Sequence, residues 1–265
     1  MVEDGSWRTT LWWWWQTAAI GWRQYRQDNP PWIVATTYLP RAILQTVFVV
    51  LLCEFVGGSQ LRHYASVGAV ALTLLLNTTT GIADVPTTDK ASGTFWRVRT
   101  GVLTPFTVFV LRSWPYPVVG FVTAVVTLAV VAPTAGIAWL GPPLLPLLLG
   151  LAVLALTTSA IGLAGAAFAV GRRADVLVGN LLAYLTMLTS AALVPPGRIR
   201  WVDLLGSILP MRHGLAAIRA AQAHQPYATQ LGAEVVVGAG WLAVAWVVVR
   251  VQVHRAHVHG HDNFS

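Results

Sequence analysis

The chain has 265 residues, of which 55% are hydrophobic and only 10% charged. Soluble domains carry about 25% charged residues, so this composition excludes a water-soluble globule. The net charge of +7 then reads as a topology signal of a membrane protein, and no nucleic-acid partner is expected. The single cysteine, Cys53, lies inside an apolar run, which excludes a disulfide framework and a cysteine zinc site.

Several apolar runs reach the ~20 residues needed to cross a hydrocarbon core of ~30 Å. They do not alternate apolar and polar positions as barrel strands do. The expected fold is an all-α membrane protein with six transmembrane helices. An N-terminal interfacial amphipathic helix precedes them, and an external segment, either an exposed loop or a re-entrant stretch dipping back into the outer leaflet, joins spans five and six. The domains are then an interfacial helix at 1–31, a six-span domain at 32–253 and a cytoplasmic tail at 254–265. The opening MVEDGSWRTT lacks a basic region running directly into an apolar core, so no cleavable signal peptide is expected.

Residues 7–28 combine six tryptophans with Arg8, Arg23 and Arg26. Tryptophan and arginine favour the headgroup level, which predicts a helix lying on the membrane. Trp12, Trp13, Trp14, Trp15, Trp22 and Arg23 then form a cytoplasmic interface that either anchors the helix or admits an amphiphile. Asn29-Pro30-Pro31 stops it, because proline disfavours helix in the residue before it. Span one, 32–56, carries Arg41 and Glu54, ~20 Å apart along a helix and unable to pair. Arg41 is expected to snorkel to the cytoplasmic face, with Glu54 near the outer end. A short GGSQLRH turn leads to span two, 64–85. Its polar patch Asn77-Thr78-Thr79-Thr80 either bonds neighbouring helices or lines a path.

A polar interruption at 84–112 follows. Span three, 106–131, is expected to kink at Pro115-Tyr116-Pro117. Span four, 144–170, contains the small-residue run TTSAIGLAGAAF, which permits close helix approach. After the basic turn Arg172-Arg173-Ala174-Asp175 comes span five, 176–194. A second interruption, 195–230, contains the weakly amphipathic LLGSILPMRHGLAAIRAAQ, and span six covers 231–253. Six spans put both termini on one side. Twelve of the 17 lysines and arginines fall on that side, and the other five are Arg62, Arg198, Arg200, Arg212 and Arg219. The positive-inside rule makes both termini and the 84–112 loop cytoplasmic, and 195–230 external.

The order of these elements is similar to that of permease subunits of type-2 ABC exporters, a class that handles drugs, lipids and polysaccharides. The loop Asp89-Lys90-Ala91-Ser92-Gly93-Thr94-Phe95 resembles the family's Asp-Arg-x-x-Gly-Thr-Leu pattern, with Pro105 close by. The run Leu209-Pro210-Met211-Arg212-His213-Gly214-Leu215, followed by Arg219, resembles the family's outer proline-to-arginine stretch. Lys90 in place of arginine and the aromatic pair Phe95-Trp96 are departures from the pattern. The resemblance implies a separate ABC ATPase partner and a second permease copy or paralogue, in contact with membrane lipid. It places the coupling contact at Asp89, Lys90, Gly93, Thr94, Phe95, Trp96, Arg97 and Arg99. It also implies outer re-entrant helices around Pro210, His213 and Arg219.

The residues agree with a chain that needs an external motor. No GxxxxGK[ST] run is present, so nothing cradles a nucleotide phosphate. No cofactor is expected in this chain, with ATP and Mg on the partner subunit. Phe95 and Trp96 ringed by Lys90, Arg97 and Arg99 suit a partner's groove, the plain alternative being a solvated basic loop. Candidate path residues are Asn77, Thr80, Asn180, Thr186 and Ser190. No metal site is expected, and His254, His257, His259 and His261 read as a solvated tail. Ten scattered acids form no catalytic constellation, so the chain is not expected to be an enzyme. Glu54 and Glu234, placed at the outer ends of spans where water reaches them, give a weak case for a proton-coupled carrier. A stand-alone secondary transporter would show internal repeats, and a lipid-modifying enzyme would gather a polar cluster. Neither feature is found. The expected function is export of an amphipathic small molecule, lipid or lipid-linked glycan across the plasma membrane.

Overall fold

A computed structural model describes residues 6–91, 98, 100–135, 144–170 and 177–259. Among the described residues there is no strand. Helix α1 is Ser6–Asp28, followed by a single turn at Pro31–Ile33 and a π-helical stretch at Val34–Tyr38. Then come α2 (Leu39–Ala91), α3 (Pro105–Ser113), α4 (Pro115–Ala135), α5 (Leu144–Val170) and α6 (Leu177–Thr189). Two short helices, α7 (Arg200–Ile208) and α8 (Arg212–Gln222), precede the long α9 (Ala228–His259). Four stretches are long and apolar enough to cross a membrane: Pro31–Ala83, Pro105–Pro133, Leu144–Phe168 and Ala228–His254. Helix α6 is apolar but has 13 residues, a rise of ~20 Å.

A straight helix of 53 residues would extend ~80 Å, far beyond a hydrocarbon core of ~30 Å. Helix α2 avoids this by reversing at Gly58, whose φ of 67° and ψ of −164° break the helix. That region of backbone space is essentially restricted to glycine. The two arms then lie side by side. Gln45 and Asn77 line one cavity, and Val50 and Ala69 share one packed cluster. Arg62 bridges back to Glu54 across the reversal at 2.9 Å. The predicted GGSQLRH turn is thus narrowed to a single glycine, with helix on both sides of it.

The second arm of α2, α4, α5 and α8 enclose the main core, in which Leu74, Leu75, Leu151, Leu154, Leu215 and Ile218 are fully buried. Leu44, Phe48, Phe55, Leu181, Leu188 and Val236 point outward, an apolar surface suited to lipid rather than water. The polar patch of span two divides between its two expected roles. Thr78 and Thr79 are buried, and Thr78 meets Thr158 of α5 through a 3.0 Å hydrogen bond. Thr80 is exposed and Asn77 half-buried.

Three boundaries differ from the expectation. Helix α2 runs on to Ala91, so the 84–112 interruption begins as helix. It also ends as helix, because Thr104 caps α3 by accepting from the Thr107 amide and Pro105 takes the first helical position, where its missing N–H is harmless. The expected kink near Pro115 is present, with Trp114 separating α3 from α4. The last helix continues through His259, although a polar tail was expected from 254. No glycine or proline interrupts 241–259, so nothing stops the helix there.

Gly58→Ala is expected to destabilise the protein by about 1–3 kcal/mol. Gly232→Ala, where an added Cβ meets open space, is expected to be neutral or slightly stabilising. Thermal unfolding of the detergent-purified variants distinguishes the two.

Candidate functional site

At one end of the bundle, α1 docks on α3 and the start of α4. Gly21 sits so close to Arg112 that a Cβ would lie 2.6 Å from its Cα and carbonyl oxygen. Trp22 stacks on Trp114 with ring centroids 5.2 Å apart, and Trp114 Nε1 donates to the Ala18 carbonyl at 2.9 Å. Tyr25 meets Tyr116 edge-on at 5.2 Å, and Arg112 Nη2 donates to Gln24 Oε1. The predicted interface group therefore divides. Trp22 belongs to the dock, whereas Trp12, Trp13, Trp14, Trp15 and Arg23 are exposed. The dock lies directly beyond the 84–112 interruption. Asp89 and Lys90 fall in the last turn of α2, and Gly93, Thr94, Phe95, Trp96, Arg97 and Arg99 lie outside the described residues.

Above the dock is a cavity of about 450 Å³. Three helical faces with the same periodicity line it. The π-helical stretch and first arm of α2 contribute Val34, Tyr38, Arg41, Ala42 and Gln45; the second arm contributes Thr73, Leu76, Asn77, Thr80 and Gly81. Helix α4 contributes Tyr116, Val119, Gly120 and Thr123, with Tyr25, Asn29 and Tyr184 completing the wall. Burial, with Tyr38 adding to it, pushes the Tyr25 phenol up to about 12, so it remains a neutral hydroxyl. Two of the five candidate path residues, Asn77 and Thr80, meet at this cavity. Asn180 is half-buried on α6. Thr186 and Ser190 are enclosed, with Ser190 Oγ donating to the Met187 carbonyl at 2.9 Å.

At the opposite end, α7 and α8 meet at Leu209-Pro210-Met211, where Pro210 is buried and Met211 adopts φ 84°. The start of a helix leaves backbone N–H groups without partners. Glu234 of α9 supplies them. Its Oε1 accepts from the Met211 amide at 2.8 Å and from Thr157 Oγ1 at 2.7 Å, and its Oε2 accepts from the Gly214 amide at 2.8 Å. A carboxylate in this position is favoured by the helix dipole and by charge-assisted bonds. Glu234 is fully buried, which corrects the expectation that water reaches it. The reason is tertiary: α8 and α5 close over it. Its isolation in an apolar run was the one available signal, since a lone acid in a membrane helix demands a partner.

Several further polar groups of this end are engaged. Arg212 pairs with Asp203 at 2.8 Å, and Asp203 Oδ2 accepts from the Gly197 amide at 2.9 Å. His213 lies within hydrogen-bond reach of Gln230 Oε1 and the Ser207 carbonyl. Arg219 Nη1 donates to Tyr64 Oη and the Ala191 carbonyl, and Nη2 to the Tyr64 and Ala192 carbonyls, at 2.9–3.1 Å. Its guanidinium also lies 3.6 Å from the centre of the Tyr64 ring. Sequence reasoning placed Pro210, His213 and Arg219 together, singled out Glu234 only as a weak case for proton coupling, and missed Tyr64; both of these reach the same end from distant spans.

Antiparallel apolar helices with buried polar fastenings at both ends define a membrane-embedded helical subunit. The chain belongs to the ABC-2 type transporter family, which matches it over residues 12–223, and it is the transmembrane subunit of such a transporter. The matched stretch includes the α1 dock, the cavity and α8, and stops before α9. No curated protein matches the sequence.

Glu234→Ala leaves two buried amides without an acceptor and is expected to destabilise the protein by about 2–5 kcal/mol. Glu234→Gln, which keeps one oxygen, is expected to fall between it and the parent on thermal unfolding. Gly21→Leu is expected to undock α1 while the bundle survives. Limited proteolysis reads this as faster cleavage within 6–30 at unchanged melting temperature.

Proposed function

We propose that this chain is the transmembrane half of an ATP-driven exporter, with ATP and Mg bound by a separate ABC ATPase. The family match carries this reading, together with the absence of a phosphate-cradling motif from the sequence. The two arms of α2, the α3–α4 pair, α5, α6 and α9 make six crossings. Both termini and the 84–112 segment then face the cytoplasm of a plasma-membrane protein. ABC ATPases close on one another in pairs, so a second permease copy or a paralogue completes the assembly. The path runs between the two copies, past Asn77, Thr80 and Asn180, whereas Thr186 and Ser190 are enclosed within each copy. The cargo is an amphipathic small molecule, a lipid or a lipid-linked glycan, and the exposed Trp12–Trp15 group faces the leaflet from which it comes.

The docking geometry supports a mechanical route. Force on the coupling contact from Asp89 to Arg99 reaches α2 on one side and α3 on the other. Gly21, Trp22 and Gln24 tie α1 to α3, so the interfacial helix follows α3 as a unit. The second arm of α2 carries the displacement to Tyr64, ~25 Å from Gly81 along the helix, where Arg219 holds the outer segment. That segment re-enters the membrane, with Pro210 in its turn and His213 and Arg219 on the α8 arm that follows. Non-spanning backbone survives at membrane depth only when its polar groups are satisfied by protein, as Glu234 and Arg219 do here. A proton-coupled carrier loses support, because Glu234 is occupied by three donors and Glu54 by Arg62.

Phe95→Ala with Trp96→Ala is expected to abolish co-purification of the ATPase while membrane insertion is retained. Normal co-purification by that variant would overturn the coupling assignment.

A further inference from the structure

The cavity above the dock holds a set of polar groups that the chain itself does not use. The Arg41 guanidinium has no hydrogen-bond or ion-pair partner among the described residues, nor do the side-chain amides of Asn29, Gln45 and Asn77. Arg41 is exposed, and four less exposed arginines of the described residues are engaged. Arg62 binds Glu54, Arg112 binds Gln24, Arg212 binds Asp203 and Arg219 binds four acceptors. Arg41 differs in facing a cavity that no carboxylate lines among the described residues. The hydroxyls of Thr73 and Thr80 donate to carbonyls of their own helix. Arg41 and the three amides therefore offer donors to the space, beside the hydroxyls of Tyr25, Tyr38, Tyr184 and Thr123 on its wall.

We infer that this cavity binds the anionic head of a single-chain amphiphile, with Arg41 as the charge partner and Asn29, Gln45 and Asn77 as hydrogen-bond donors. A guanidinium offers five N–H groups in a planar fork that matches phosphate or carboxylate oxygens. An unpaired acceptor-rich head is thus the complement of what the cavity lacks. The aromatic rings of Tyr38 and Tyr116 and the apolar Val34, Leu76 and Val119 give the wall an apolar part, which receives the first part of an apolar chain. A volume of about 450 Å³ lies within the roughly 300–1,000 Å³ of small-molecule sites, enough for a head group and the start of a chain. Leu44 and Phe48, exposed on the same arm, continue an apolar surface for the remainder. This assignment deepens the exporter reading and rests on it, because it gives the charge class of the cargo at its point of binding.

Native mass spectrometry of the full chain in an uncharged maltoside detergent tests it with two probes, oleoyl lysophosphatidate and uncharged monooleoylglycerol. One lysophosphatidate per chain is expected to be retained at concentrations where monooleoylglycerol is not. Arg41→Gln is expected to weaken retention about tenfold, the loss of one charge-assisted contact. Arg250→Gln, which removes an exposed arginine of α9 outside the cavity, is expected to leave it unchanged. Glycerol 3-phosphate at the same concentration supplies the head without the chain and is expected not to displace the lipid. Equal retention of both lipids, an unaffected Arg41→Gln variant, or equal losses in Arg41→Gln and Arg250→Gln would overturn the site. Displacement by glycerol 3-phosphate would overturn the amphiphile and leave a soluble anion in its place. ATPase co-purification, measured on the same variants, reports on the exporter reading separately and does not depend on Arg41.

Discussion

Inside a bilayer no water is available to a backbone amide or carbonyl that the fold leaves unpaired. The α7–α8 end of this protein meets that constraint with side chains. Helices α7 and α8 are each too short to cross, and their junction at Met211 exposes polar backbone that must be satisfied by side chains. Glu234 takes the amides of this junction, and Arg219 takes the carbonyls of Tyr64, Ala191 and Ala192 at the same end. Neither group is paired with the opposite charge; each is neutralised in effect by several backbone dipoles. The two residues also join elements far apart in sequence, since Glu234 binds α9 to α8 and α5 while Arg219 binds α8 to the second arm of α2. The charged groups of this end therefore act as fasteners of irregular backbone, and the bundle core that encloses them needs no charge of its own.

The other end uses different chemistry for a different purpose. The α1 dock depends on close approach at Gly21 and on aromatic contact, with only two polar links. Aromatic pairs and van der Waals contact permit small rotations that a network of directed hydrogen bonds resists. One end is thus held by geometry-demanding bonds and the other by packing. That asymmetry suits the coupling proposed for 84–112, because the pliable fastening lies beside that segment and the rigid one lies far from it.

Much of this was legible in the sequence. The apolar runs, the proline stop after Asp28 and the break near Pro115 each follow from local rules and recur in the structure. The junction at Leu209-Pro210-Met211 was also visible, because proline and a basic residue interrupt an amphipathic pattern there. The partners of these features were not legible. Nothing local to Glu234 says that it will meet an amide twenty residues earlier, and nothing near Tyr64 points to Arg219. Such pairs are set by how helices stack, which side-chain periodicity constrains only by face. The cavity illustrates the same limit. Asn77 and Thr80 announce a polar face, but that Arg41 shares it depends on the reversal at Gly58, which brings the first arm alongside the second.

The π-helical stretch at Val34–Tyr38 has a consequence for that cavity. There the Leu39 amide bonds the Val34 carbonyl, five residues back, so this turn holds one residue more than an α-helical turn. Tightening it to the ordinary winding would rotate everything downstream by ~100° about the helix axis. Arg41 and Gln45 would swing away from the second arm together. The head of the first arm thus stores a single residue of slack, and taking it up would turn Arg41 and Gln45 out of the cavity and repack Ala42, Thr46 and Val50 along with them.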